Sequence, residues 1–68
     1  MENLICSART KQILKVLINN YFRSLYYFTD FDIIEDAEGF KTFNAQHNIT
    51  EGKIIFKKGK FTFYHEDY

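Results

Sequence analysis

The sequence predicts a single α+β domain in which an N-terminal amphipathic helix packs on a small antiparallel sheet of three to four strands ending in a β-hairpin. Three observations support this prediction. A helical apolar period runs through the first part of the chain, alternating segments flank a glycine-containing turn near its end, and 68 residues suffice for one core only. Residues 1–68 are therefore expected to form one compact domain.

The helix is expected over residues 8–28, which contain neither glycine nor proline. Ser7 precedes this segment, and its hydroxyl can accept a hydrogen bond from a backbone N–H of the first turn. The apolar stripe expected to face the core comprises Leu14, Leu17, Ile18, Tyr21, Leu25 and Phe28, with Ile13 at its edge. Beyond Arg23 the aromatic residues also suit an extended chain, so the sequence does not define the residue at which the helix ends.

The C-terminal hairpin is predicted from two alternating segments, residues 53–57 and 60–64, on either side of Lys58-Gly59. This turn pairs large apolar side chains across the two strands on one face: Phe56 with Phe61, and Ile54 with Phe63. A register slip of one residue would send these side chains to opposite faces, so the pattern specifies the register.

The middle of the chain predicts a strand at residues 31–35, with Phe31 and Ile33 directed inward. Residues 36–39 have the composition of a tight turn, since acidic residues and a glycine follow one another there. Together these features indicate the first half of a second antiparallel pair. The sheet would then be a meander that follows the helix in sequence.

The partner of that strand is less sharply defined. Residues 40–43 fit a returning strand, whereas the spacing of apolar residues over 40–47 also fits a short helix, and we favour the strand. Residues 44–52 are polar and indicate a loop. Residues 2–6 are short and apolar enough to add an edge strand to the sheet.

The formal charge is zero, but positive and negative residues occur in separate blocks. Residues 1–19 and 40–60 are basic, whereas residues 20–39 and the end of the chain are acidic. A dipolar surface of this kind orients a protein partner more effectively than it attracts nucleic acid in general.

The composition also predicts a compartment. One cysteine excludes an internal disulfide framework, and the first residues lack the apolar run of a signal peptide. No apolar stretch approaches the ~20 residues that cross a bilayer. We therefore expect a cytoplasmic protein. Abundant residues with AT-rich codons and the absence of proline suggest a phage or low-GC source.

Catalytic and metal-binding patterns are not recognisable in the sequence. Cys6, His47 and His65 are the only soft metal ligands, and no two of them have the short spacing typical of zinc sites. No paired acid and base or activated nucleophile is visible either. The sequence thus predicts no catalytic residue, no bound metal and no cofactor.

Two features of the sequence suggest a protein-binding surface. Phe22 and Tyr26 lie one helical turn apart and away from the predicted core stripe, unless the helix is buried on two sides. An acidic run follows the helix and indicates either a solvated strand face or a docking patch. The predicted partner-binding residues are Lys15, Asn19, Phe22, Arg23, Tyr26, Asp32, Glu35 and Asp36.

We therefore expect a small non-enzymatic protein-interaction module, such as a phage-type regulator or inhibitor that docks on a larger protein. The alternative is a nucleic-acid-binding module that uses the basic hairpin and helix lysines, because a basic β-ribbon can lie along phosphates. Its candidate residues are Lys53, Lys57, Lys58, Lys60 and Tyr64. A homodimer is a further expected partner, since it would bury surplus aromatic side chains and add stability to a short chain.

Overall fold

A computed structural model describes residues 2–25 and 30–66. Its elements are β1 (Glu2–Ala8), α1 (Lys11–Leu25), β2 (Asp32–Asp36), β3 (Gly39–Asn44), β4 (Ile49–Lys57) and β5 (Lys60–Glu66). The strands form one antiparallel sheet in the order β1-β5-β4-β3-β2, and α1 packs on one of its faces. The predicted α+β class is confirmed. The sheet has five strands because the N-terminal segment pairs with β5.

The helix begins later than the sequence indicated. Thr10 is the N-cap, since its Oγ1 accepts a hydrogen bond from the Ile13 N–H at 3.2 Å. The predicted N-cap, Ser7, lies instead in β1, where it pairs with Thr62 of β5. A helix starting at residue 8 would lose the end of this ladder, which explains the later start. The described helix ends at Leu25, and the predicted continuation to Phe28 falls outside the described residues.

The helix also turns a different face to the sheet from the predicted one. Its buried side chains are Leu14, Ile18 and Phe22, which are spaced four residues apart along one ridge. Leu17 and Leu25 were predicted to face the core but are 36% and 40% exposed. The buried face is therefore rotated by about 50° from the predicted stripe.

Phe22 and Asn19 account for this rotation. Phe22 is fully buried, stacks on Phe31 with ring centroids 4.1 Å apart, and meets the edge of Phe63 at 5.7 Å. The Asn19 side chain donates to the Phe31 carbonyl at 3.1 Å and accepts from the Phe31 N–H at 2.8 Å. This two-point hydrogen bond holds the segment before β2 against the same side of α1. The core thus extends towards β2.

The middle of the chain is strand, as favoured. β3 spans the predicted return strand at residues 40–43, and the alternative helix over 40–47 is wrong. The predicted loop over 44–52 is too long, because β4 begins at Ile49 and only residues 45–48 form the turn. Thr50 is polar yet pairs with Phe43. A strand with one face in solvent can include polar residues and still pair with its neighbour. The polar composition of this segment therefore placed the predicted start of β4 too late.

The predicted hairpin register is confirmed. Ile54 pairs with Phe63 and Phe56 with Phe61, as the turn at Lys58-Gly59 requires. Lys58 and Gly59 both have positive φ, of 55° and 73°, which is the geometry of a type I′ turn. This turn has the same handed twist as the strands it joins, so it fixes their alignment.

A β-bulge in β4 depends on Gly52. Phe40 pairs with Ile54 and Thr42 with Glu51, so β4 contains one residue more than β3 over this stretch. Gly52 has a φ of 70°, and a Cβ added there would lie 2.5 Å from both the Phe63 ring and the Tyr64 carbonyl oxygen.

The bulge is stabilised by Thr42, which is fully buried. Its hydroxyl donates to the Glu51 carbonyl and accepts from the Glu51 N–H. The side chain therefore satisfies both backbone polar groups of Glu51, which the irregular ladder would otherwise leave less well paired.

Substitution of Gly52 by Ala is expected to destabilise the fold by about 2–4 kcal/mol, because the left-handed backbone and the overlap with Phe63 both oppose a Cβ. Gly59→Ala is the matched control. Gly59 has nearly the same φ but no atom within 4 Å of its Cβ position, so only the backbone cost of about 1 kcal/mol remains. Urea unfolding followed by far-UV circular dichroism measures both. Equal losses for the two variants would contradict the close approach of Phe63.

Candidate protein-binding surface

The helix residues predicted to bind a partner do not form one free surface. Phe22 is in the core, so its predicted contact with a partner is wrong. Asn19 is engaged with Phe31 of the same chain. Tyr26 lies outside the described residues, while Arg23 is exposed. The aromatic pair on which the prediction rested is therefore not available as a pair.

Several charged residues of the predicted partner-binding set form ion pairs within the fold. Lys15 forms an ion pair with Asp32 at 2.5 Å, which joins the helix to β2. Lys41 forms another with Asp36 at 2.8 Å. The hydrogen bond from Lys41, followed by one from the Glu38 N–H, lowers the pKa of the Asp36 carboxyl. The first pair is exposed and the second is partly exposed, so both remain open to solvent and contribute little to stability.

The acidic run after the helix is split between two sheet faces. Successive side chains of β2 point to opposite faces of the sheet, so Asp32 and Asp36 lie on one face and Glu35 on the other. Glu35 remains exposed. No continuous acidic docking patch results from these three side chains.

The residues of the alternative prediction do converge. They lie on the outer face of the sheet, which is the face away from α1, because Lys53 pairs with Tyr64 and Lys57 with Lys60. A concave surface of about 310 Å³ opens there. We call it the hairpin groove, and its lining residues are Ile55, Lys57, Lys58, Lys60, Thr62 and Tyr64.

The hairpin groove combines an apolar floor with a basic rim. Ile55 is 42% exposed on the floor, next to the half-buried Tyr64. Within the described parts of the chain, Lys57, Lys58 and Lys60 take part in no ion pair. The rim lysines are therefore available to carboxylates or phosphates of a ligand.

Lys53 is the exception among the basic residues of the hairpin. Its Nζ lies 2.9 Å from a carboxylate oxygen of Glu2 on β1. The hydrogen bond to Glu2 raises the pKa of Lys53, so the residue stays charged but is partly neutralised by its neighbour. Lys53 was predicted to bind nucleic acid, and the structure assigns it first to the contact between β1 and β4.

A buried polar network that sequence reasoning missed lies on the helix side of the sheet. The Tyr21 hydroxyl is 2.8 Å from Nδ1 of His65, and Nε2 of His65 is 2.8 Å from a carboxylate oxygen of Glu51. His65 is only 5% exposed. The three residues come from α1, β5 and β4, so no local spacing could have revealed the network.

The order of hydroxyl, imidazole and carboxylate also occurs in catalytic triads. Here both ring nitrogens of His65 are occupied by protein partners, and the Tyr21 ring packs against Phe22 and Phe63. His65 and Glu51 both line a surface cavity of about 210 Å³, but the two ring nitrogens are already bonded within the protein. The arrangement therefore attaches the helix to the sheet by satisfying a buried histidine.

The remaining chemically reactive groups are dispersed. Burial raises the pKa of the Cys6 thiol, which disfavours the thiolate needed for nucleophilic attack. His47 lies exposed in the turn before β4. Over residues 2–25 and 30–66, no three His, Cys, Asp or Glu side chains are grouped as a metal site would require.

Comparisons with known proteins give no indication of function. No family model matches the chain, and no curated protein or solved structure is significantly similar to it. The described helix is too short and too polar to cross a membrane. A fold of this class is compatible with many functions, so the fold alone indicates none.

Replacing Tyr21 by Phe is expected to cost about 1–2 kcal/mol of unfolding free energy, because Nδ1 of the buried His65 loses its hydroxyl partner. Tyr64→Phe removes the same atom from a half-buried tyrosine on the outer face and should change stability by less than about 0.5 kcal/mol. Chemical denaturation of both variants tests this difference. A Tyr21→Phe protein as stable as the parent would show that the network does not anchor the helix.

Proposed function

We propose that this protein is a small non-enzymatic binding module that docks on a larger protein through its hairpin groove. The supporting observation is that an exposed apolar floor lies beside lysines that form no ion pair within the described residues, on the sheet face opposite α1. Docking would remove Ile55 from water and bring Tyr64 into a dry contact, and both changes favour association.

The partner that fits this surface presents an apolar side chain surrounded by carboxylates. Lysines at the rim accelerate encounter with an acidic surface and fix its orientation, whereas the buried centre supplies most of the affinity. A module of 8.2 kDa that covers an acidic site on an enzyme or regulator would act as an inhibitor. A cytoplasmic setting and a phage or low-GC source remain part of this proposal.

Nucleic acid is the second candidate, because the same lysines and Tyr64 could contact a short single strand. The overall charge of the chain favours a protein partner over nucleic acid. The pI is about 6.7 and the net charge is zero, whereas nucleic-acid-binding domains generally carry a strongly basic surface. The groove floor also offers an aliphatic side chain and one tyrosine, rather than a row of aromatic platforms for base stacking.

Charge reversal of the rim tests whether the hairpin groove binds, and nuclease treatment separates a protein partner from nucleic acid. The rim variant replaces Lys57, Lys58 and Lys60 by Glu. The matched helix variant replaces Lys11, Lys15 and Arg23 by Glu, which changes the net charge equally on α1, where Lys15 and Arg23 belonged to the predicted partner-binding residues. Tagged parent and variants are used to capture partners from a low-GC bacterial lysate, with and without nuclease.

We expect a stoichiometric, nuclease-resistant protein that the parent and the helix variant retain and that the rim variant and Ile55→Asp lose. Loss with the helix variant alone would move the site back to α1. Capture of nucleic acid only, with a salt slope of about −2 from three phosphate contacts, would establish the alternative.

A further inference from the structure

The two edges of the sheet differ in how well they are protected. β2 is an edge strand of five residues that carries Asp32, Glu35 and Asp36. β1 is an edge strand of seven residues in which Glu2 is the only charged side chain. Natural proteins protect edges with short strands and charges, because unpaired backbone groups bind other strands. β2 has this protection, whereas most of β1 lacks it.

Apolar side chains of the helix flank the same edge. Lys15 and Asn19 face the β2 side of α1, as their contacts with Asp32 and Phe31 show. Residues two apart on a helix point in nearly opposite directions, so Ile13 and Leu17 project towards the β1 side.

Their exposure and a neighbouring contact agree with this assignment. Ile13 is 54% and Leu17 36% exposed. Tyr21, one turn after Leu17, bonds to His65 on β5, and β5 is the strand next to β1. On the opposite face of the sheet, Leu4 of β1 is 62% exposed. Both sides of the β1 edge are therefore apolar.

The charges along β1 are self-complementary. Glu2 lies at the start of the strand, where one carboxylate oxygen pairs with Lys53 of the same chain, and Arg9 follows the last residue of β1. When two copies of β1 pair antiparallel, Glu2 of each copy approaches Arg9 of the other, so the two contacts form by symmetry. Arg9 is exposed and takes part in no ion pair within the described residues.

We propose that β1 pairs antiparallel with β1 of a second copy, so that the two sheets of a homodimer become one continuous sheet. With the two-fold axis perpendicular to the sheet, both helices lie on the same side and Ile13 and Leu17 meet their counterparts across the axis. The hairpin groove stays open in each copy. This inference does not depend on the proposed function.

The bulge in β1 is compatible with such pairing. Cys6 pairs with Phe63 and Leu4 with Tyr64, which leaves Ile5 as the extra residue. A bulge increases the local twist of a strand. Because the second copy carries the same bulge, the two antiparallel strands twist alike and can stay side by side over their length.

The test uses the purified chain without any partner. The edge variant combines Leu4→Lys and Leu17→Lys, two exposed positions that flank β1. The matched control combines Ile34→Lys and Val16→Lys, exposed positions on β2 and on the solvent side of α1. Sedimentation equilibrium over a wide range of concentration should show a parent dimer.

The edge variant should raise the dimer dissociation constant by about a hundredfold or more, because it places four lysines around the two-fold axis. The control should stay within about threefold of the parent. Amide hydrogen exchange at residues 3–8 should slow as the parent associates. A parent that stays monomeric, or a dimer that only the control variant weakens, would overturn the proposal.

Discussion

One helix of fifteen residues has to cover a five-stranded sheet, and it can do so on one face only. Leu14, Ile18 and Phe22 close that face against Ile54 and Phe63, which form the described core with Phe31. Among the described residues, no element covers the outer face, and apolar side chains flank the β1 edge. Both proposed contacts arise from this shortage of covering elements rather than from any specialised motif.

The parts of the fold that local patterns determine could be predicted from the sequence. The pairing of Ile54 with Phe63 follows from strict alternation on both sides of a type I′ turn, where a slip would expose the whole apolar set. The existence of α1 follows from an apolar period without glycine or proline. In each case the deciding interactions lie within a few residues of one another.

The features that could not be predicted from the sequence depend on interactions between residues that are distant along the chain. Phe22 rather than Leu17 entered the core because Phe31 and Asn19 meet on that side of the helix, twelve positions apart in sequence. His65 lies 44 positions from Tyr21, so its partners were unpredictable. Lys57, Lys58 and Lys60 were grouped from the sequence and lie together at the hairpin groove. Ile55 was not singled out, because the sequence does not show which face of the sheet α1 covers.

The exposure of the outer face is the claim on which the account depends most. Methyl-labelled protein, titrated with a soluble paramagnetic agent and observed by NMR, measures that exposure directly. We predict strong broadening of the Ile55 and Ile34 methyl signals and protection of Ile18 and Ile54, which serve as internal references on the covered face. Protection of Ile55 to the same degree as Ile54 would show that the outer face is already covered, and would contradict docking at the hairpin groove.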